Sequence, residues 1–207
     1  MIKRSAFAVI ALTAAWASAP AAAQSNYYGV VSVGRSTIDI DPNSVNFFAA
    51  ANGVGGSTTV PNSNSFGWKL QLGYHFSNLF ALEGGYTDLG KARFTNINAV
   101  YTATGDKKAD LFNLDLVGKV ALNPAFSLLG RIGGYRWDTK SDLPAAAGII
   151  SKTENGYDWK FGAGVQYEFT QKFALRGEFE RFNGVGKPET TGDSKVNLFT
   201  VGAALKF

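Results

Sequence analysis

The sequence predicts an all-β fold, an eight-stranded antiparallel up-and-down transmembrane β-barrel. Three observations predict it. Segments of about ten residues alternate apolar with small or polar side chains, the period of two that marks a strand with one apolar face. After the N-terminal leader no apolar run approaches the roughly twenty residues that a membrane-spanning helix needs, and mean hydropathy is near zero at -0.04. Aromatic residues gather at the ends of the alternating segments, in two bands.

The leader comes first along the chain. Lys3 and Arg4 precede an apolar run from Ser5 to Ala19, and Ala21-Ala22-Ala23 follows with small side chains. This is the pattern of a secretory signal, so cleavage is expected between Ala23 and Gln24, leaving residues 24–207 as one barrel domain after a 1–23 signal peptide. The exported part has no cysteine, so disulfides do not hold it together, and it is rich in glycine with 24 residues. Hydrogen bonding around a closed sheet is the expected substitute. Of the 20 Lys and Arg residues, removing Lys3 and Arg4 leaves 18 against 16 acidic ones, a net charge of +2. No basic cluster interleaved with aromatics stands out, so nucleic acid is not an expected partner.

Eight segments follow in order. In the first, from Tyr27 to Arg35, the phase is ambiguous. In the second, Phe66, Trp68, Leu70, Leu72, Tyr74 and Phe76 oppose Gly67, Lys69, Gln71, Gly73 and His75. Ser77-Asn78 turns the chain into the third, with Phe80, Leu82, Gly84 and Tyr86 on one face. The fourth sets Phe112, Leu114, Leu116, Gly118 and Val120 against Asn113, Asp115, Val117 and Lys119. Asn123-Pro124 leads to the fifth, where Phe126, Leu128, Gly130, Ile132 and Gly134 oppose a face containing Arg131. The sixth runs from Tyr157 to Phe169. Thr170-Gln171 turns it into the seventh, where Phe173, Leu175, Gly177 and Phe179 oppose Ala174, Arg176, Glu178 and Glu180. The eighth ends the chain, with Phe199, Val201, Ala203, Leu205 and Phe207 on one face. Connections alternate between these short turns and long polar ones at 36–65, 89–109, 138–156 and 183–194. An even strand count with short periplasmic turns and long outer loops puts both ends of the barrel on the periplasmic side.

A soluble β-barrel or sandwich is the alternative. It would turn the apolar face inward and leave the other face to water, but that face combines Lys69, Glu83, Asp115, Lys119, Arg131, Lys160, Arg176 and Glu178 with many glycines. The two aromatic bands fit membrane interfaces.

The stretches YYGVVSVG (27–34), ALEGGYTDLG (81–90), GRIGGYRW (130–137), ALRGEFERF (174–182) and the terminal VGAALKF resemble the outer-membrane β-barrel family typified by the OmpA transmembrane domain and the OmpX-type barrels. The resemblance implies an outer-membrane location among lipid and lipopolysaccharide, and a terminal strand whose Ala203, Leu205 and Phe207 form the signal read by the barrel-assembly machinery. Because the sequence ends with the barrel, the peptidoglycan-binding module of two-domain members is not expected. The resemblance also places Glu83, Lys119, Gln166 and Arg176 at the level of an ion-pair network that plugs the lumen. Gln166 stands where a carboxylate is expected, so Lys119 needs another acceptor among Asp115, Glu178 and Glu83. With Arg131, these residues make the expected polar lumen, and Glu83 is expected to pair with Arg176. Such a network either fixes the register of the strands or re-pairs as a gate.

Catalytic and metal chemistry find little support. His75, the sole histidine, lies beside the Ser77 turn at the periplasmic end with no nucleophile motif. No His or Cys cluster suggests a metal, and Asp39-Ile40-Asp41-Pro42-Asn43 lacks the glycine and distal glutamate of a calcium loop. No cofactor is expected. In the first long connection Val45, Phe47 and Phe48 make either an adhesive tip or a packing contact. Trp137 and Phe182 take the inward parity, so they either extend above the membrane or follow a β-bulge. The expected function is therefore a non-enzymatic, monomeric outer-membrane barrel that supports the envelope and presents loops to extracellular ligands. A narrow pore for ions or small solutes is the alternative.

Overall fold

A computed structural model describes residues 26–40, 46, 50, 57–62, 64–97, 102–145, 148–186 and 194–207. The signal segment and Val45, Phe47 and Phe48 lie outside these residues, as do Asp41, Pro42 and Asn43. Nine strands form among the described residues: β1 (Tyr27–Ile40), β2 (Ser57–Asn62), β3 (Asn64–His75), β4 (Phe80–Ile97), β5 (Thr102–Ala121), β6 (Phe126–Ala145), β7 (Gly148–Glu168), β8 (Phe173–Val185) and β9 (Ser194–Lys206). Eight of them close a ring. β1 pairs with β3 and β9, consecutive strands from β3 to β9 pair with one another, and every pairing is antiparallel. Closure leaves each ring strand paired on both sides through the middle of the wall, the condition for crossing a membrane with strands.

The ninth segment is an extension of the wall. β4 pairs with β3 as far as Asp88, then with β2 from Arg93 outward. The change of partner occurs around Gly90, which takes φ = 79°. Its N–H donates to Asp88 Oδ1 at 2.7 Å, and the N–H of Lys91 donates to Ser65 Oγ at 2.8 Å. A side chain at Gly90 would be strained in φ and would meet Ser65 Oγ at 2.1 Å.

The three short turns share one device. Ser77 Oγ accepts from the N–H groups of Leu79 and Phe80, Asn123 Oδ1 from those of Ala125 and Phe126, and Thr170 Oγ1 from those of Lys172 and Phe173. A short polar side chain capping the amides two and three residues ahead is what Ser, Asn and Thr supply at a turn.

Two of the connections expected as loops are instead strand. β4 and β5 stay paired to Ile97 and Thr102, and β6 and β7 to Ala145 and Gly148. These stretches are mostly polar with no regular apolar alternation, as in DTKSD at 138–142, so the contrast that reveals a strand in the sequence is missing. Backbone pairing does not require that contrast. Trp137 keeps continuous register with Leu111 and Gly156, and both Trp137 and Phe182 are buried inside the extended wall. The strands extend, and neither residue follows a bulge: register is continuous through Trp137 and up to Phe182, and on β8 it shifts only between Phe182 and Val185. The ambiguous β1 also resolves: Tyr28, Val30 and Ser32 are buried, while Tyr27, Val31 and Val33 point out.

The barrel is inverted relative to a water-soluble protein. Leu114 is 58% and Val201 55% exposed, whereas Lys69 and Glu83 are 0% exposed. Contiguous apolar surface around the whole wall requires lipid against it. Towards the hairpin end the outward apolar series stops on each ring strand at a polar residue: Arg35, Asn64, Asp88, Asp110, Arg136, Asn155, Arg181 and Asn197. Below that level the aromatic bands pair across strands, as in Tyr86 with Phe112 at 5.2 Å and Phe126 with Tyr167 at 4.8 Å between ring centroids.

Candidate functional site: the charged lumen

Inward parity puts three layers inside the ring. Nearest the short turns, Tyr28, Val30, Ala81, Val117, Leu129, Ala174 and Ala204 form an apolar cluster. Nearest the hairpins, Ile38, Leu89, Leu111, Trp137, Phe182 and Leu198 are buried. Tyr135 stands edge-on to Phe182 at 5.3 Å, and its hydroxyl donates to the Gly184 carbonyl at 2.9 Å. Between these layers lie the charges.

Four carboxylates and four cations occupy the middle layer, and they interlock. Arg131 reaches all four acids: Glu83 at 2.8 Å, Asp115 at 3.1 Å, Glu180 at 3.6 Å, and Glu178 in close contact. Arg176 pairs with Glu83 at 2.6 Å. Lys69 pairs with Glu178 at 2.6 Å and also with Glu180. Lys160 pairs with Asp115 at 2.8 Å and also with Glu180, and its ammonium sits 5.2 Å from the Phe182 ring centre. Charge cancels within the layer. Isolated buried charge is far too costly to keep, so each member depends on the others.

Neutral groups complete the layer. Tyr28 donates its hydroxyl to Glu83 Oε1 at 2.7 Å, and its ring lies over Gly73, where a Cβ would approach Tyr28 Cζ to 2.2 Å. Gly73→Val is expected to displace Tyr28 and cost about 1–3 kcal/mol in urea unfolding, while Gly130→Ala, outward with nothing within 4 Å of its added Cβ, stays within about 0.5 kcal/mol.

Lys119 finds a different partner from those expected. Val117 intervenes between Lys119 and Asp115 on the inward face of β5, and four residues of strand span roughly 13 Å. Lys119 instead pairs with Glu168 at 2.7 Å, which also holds Lys206 at 3.0 Å, in a partly exposed cluster at the short-turn mouth. Gln166 joins the two charged levels. Its Oε1 accepts from Arg176 Nε at 3.0 Å, and its Nε2 donates to Glu168 Oε1 at 2.6 Å. A carboxylate at that position could accept but not donate, which gives a physical reason for the amide.

The network also includes three residues beyond the expected set. Lys69, Lys160 and Glu180 carry the inward parity, but parity gives a face and not a height. The stagger of the closed sheet is what brings Lys69 to Glu178 and Glu180, and no local signal in the sequence gives it. His75 is half-buried at the mouth, stacked on Tyr28 with ring centres 4.6 Å apart. The nearby Ser77 hydroxyl is committed to its turn. Among the described residues no group of three or more His, Cys, Asp or Glu side chains is placed to hold a metal ion.

The outer membrane protein beta-barrel domain family matches residues 7–207. The chain belongs to that family. Outer membrane protein A of Shigella flexneri is 28% identical over 160 residues, 72% of this chain and 43% of that protein. The chain thus spans less than half the length of this relative. An uncharacterized protein of Coxiella burnetii is 28% identical over 192 residues, 79% of this chain and 77% of that protein. Among solved structures, Neisserial surface protein A superposes with a TM-score of 0.55 at 16% identity, covering 88% of this chain and 98% of that one. Ail of Yersinia pestis, solved with the heparin analogue sucrose octasulfate, gives 0.52 at 20% identity, covering 88% and 99%. These structural likenesses establish the shared barrel fold. The protein is an outer-membrane β-barrel of this family.

Proposed function

We propose that this protein works without catalysis, as a barrel that closes its own lumen, supports the envelope and holds long polar hairpins at the cell surface for contact with extracellular ligands. It acts as a monomer among outer-membrane lipid and lipopolysaccharide. The signal segment is removed between Ala23 and Gln24, and the assembly machinery engages the strand that carries Ala203, Leu205 and Phe207. The short turns and both ends of the barrel face the periplasm.

The observation that carries this reading is the layered lumen. A solute entering from either mouth must pass an apolar layer before it reaches the central charges, and those charges are already paired with one another. A narrow pore would require both apolar layers to part and the ion pairs to exchange partners together. Filling of the interior by side chains is also what an eight-stranded barrel geometry favours.

Orientation is tested with single cysteines, since the chain has none of its own. Thr153→Cys, on the exposed face of the β6–β7 hairpin, should react with a membrane-impermeant maleimide in intact cells. Lys172→Cys, in a short turn, should react only after the outer membrane is opened. The reverse pattern would overturn the proposed topology.

A further inference from the structure

At the short-turn mouth, side chains of opposite parity on neighbouring strand ends build two cavities back to back. Outside, an apolar groove of about 570 Å³ runs along the lipid-facing wall, and its lining includes Tyr27, Leu72, Tyr74, Leu82, Gly84 and Phe207. Inside, a polar cup of about 270 Å³ has a lining that includes Tyr27, His75, Asn78, Lys119 and Lys206. Tyr27 borders both. Tyr74 and Phe207 face the groove, while His75 and Lys206, their neighbours in the chain, face the cup. β1 lies between β3 and β9 in the sheet, so groove and cup are two sides of one stretch of rim.

The two cavities suit different parts of a ligand. The groove exists because Gly84 leaves a gap between Leu72 and Leu114, its partners on β3 and β5. A Cβ at Gly84 would sit 3.5 Å from Leu114 Cδ1, an ordinary contact, so the space is open. In the cup, Lys119 and Lys206 share one carboxylate, Glu168, at 2.7 and 3.0 Å. Each ammonium has three donors and gives one of them to Glu168. Two cations with donors to spare suit an anion, and the groove beside them suits an acyl chain. A glycerophospholipid carries both groups a few bonds apart.

We propose that this rim binds one glycerophospholipid, with an acyl chain in the groove over Gly84 and the phosphate turned in past Tyr27 to Lys119 and Lys206. Tyr27, Tyr74 and Phe207 mark the level of the membrane interface, the height at which phosphates lie. With the short turns in the periplasm, the lipid comes from the inner leaflet. Only the choice of leaflet rests on the proposed topology. The test is run in micelles, which have no leaflets, so it stands or falls separately from the orientation labelling.

The full barrel is refolded in dodecyl maltoside, a detergent without phosphate. A phosphatidylglycerol with a photoreactive diazirine in its acyl chain is added, or a diacylglycerol with the same chain, and cross-linked residues are located by mass spectrometry. The phospholipid is expected to label Leu72, Tyr74, Leu82 and Leu114 in preference to the exposed Val165 and Leu175 on the opposite wall; the diacylglycerol should show no preference. Lys119→Gln with Lys206→Gln should lower the preference about tenfold, the combined effect of two partly exposed ionic contacts. Gly84→Val, which fills the groove, should lower it about fourfold, the effect of roughly one buried methylene. Lys195→Gln, at the opposite rim, should leave it unchanged. A heat-dependent shift in gel mobility confirms that each variant is folded, and Lys119→Gln alone, expected to lower the preference about threefold, replaces the double variant if that one fails to fold. Equal labelling of the two walls, an equal preference by the diacylglycerol, or a preference that survives the lysine variant or Gly84→Val would overturn the site.

Discussion

Replacing Arg131 by methionine lowers the stability of the refolded barrel by about 3–5 kcal/mol, the usual cost of breaking a buried ion pair from one side. Arg131 is the only side chain of the middle layer that reaches Glu83, Asp115, Glu178 and Glu180 together. Methionine keeps most of the volume, so packing loss adds little and the effect reports charge. Four carboxylates then face three cations with no water to screen them. Urea titration in lipid vesicles, followed by tryptophan fluorescence, measures the loss. The mechanism makes a second demand on the same experiment. Adding Asp115→Asn restores neutrality and should recover part of the loss, because residues of one network do not add independently. Arg93→Met, which breaks only the exposed pair with Asp106, should cost under about 1 kcal/mol. If Arg131→Met and Arg93→Met prove equally mild, the network is not what holds the lumen.

Glu180→Gln should be nearly as costly, about 3 kcal/mol or more, and for the opposite reason. Glu180 bridges Lys69 and Lys160, both 0% exposed. Without its charge Lys69 keeps only Glu178, and Lys160 keeps only Asp115. The excess positive charge sits beneath the buried Phe182 and Leu198, where water cannot reach it without opening the hairpin-side layer. The variant should therefore unfold at lower urea and also expose this layer, seen as faster hydrogen exchange at the outward ends of β8 and β9. Glu168→Gln offers the comparison, since its partners Lys119 and Lys206 are partly exposed; its loss should stay near 1 kcal/mol.

Much of this was legible in the sequence, and the limits are physical. Which face a residue takes follows from parity, so the inward position of Glu83, Asp115, Arg131, Arg176 and Glu178 could be read directly. The short turns were legible because Ser77, Asn123 and Thr170 cap their own chain, a local interaction. Height was not legible. Lys69 meets Glu178 and Glu180 across more than a hundred residues, and only the stagger of the closed sheet decides that they share a level. The Lys119 partner failed for the same reason, because Glu168 and Asp115 have equal claim by parity but lie on opposite sides of Val117. The hairpin extensions failed for another. In stretches such as 95–97 and 139–142, backbone pairing continues although the apolar alternation that signals a strand has stopped.

The central claim is that this lumen is closed, by ion pairs held between two apolar layers. Single-channel recording of the refolded barrel in planar bilayers tests it most directly. The expected trace is electrically silent at neutral pH across moderate voltages. Stable stepwise openings from the folded, heat-modifiable form would contradict the claim and establish a pore.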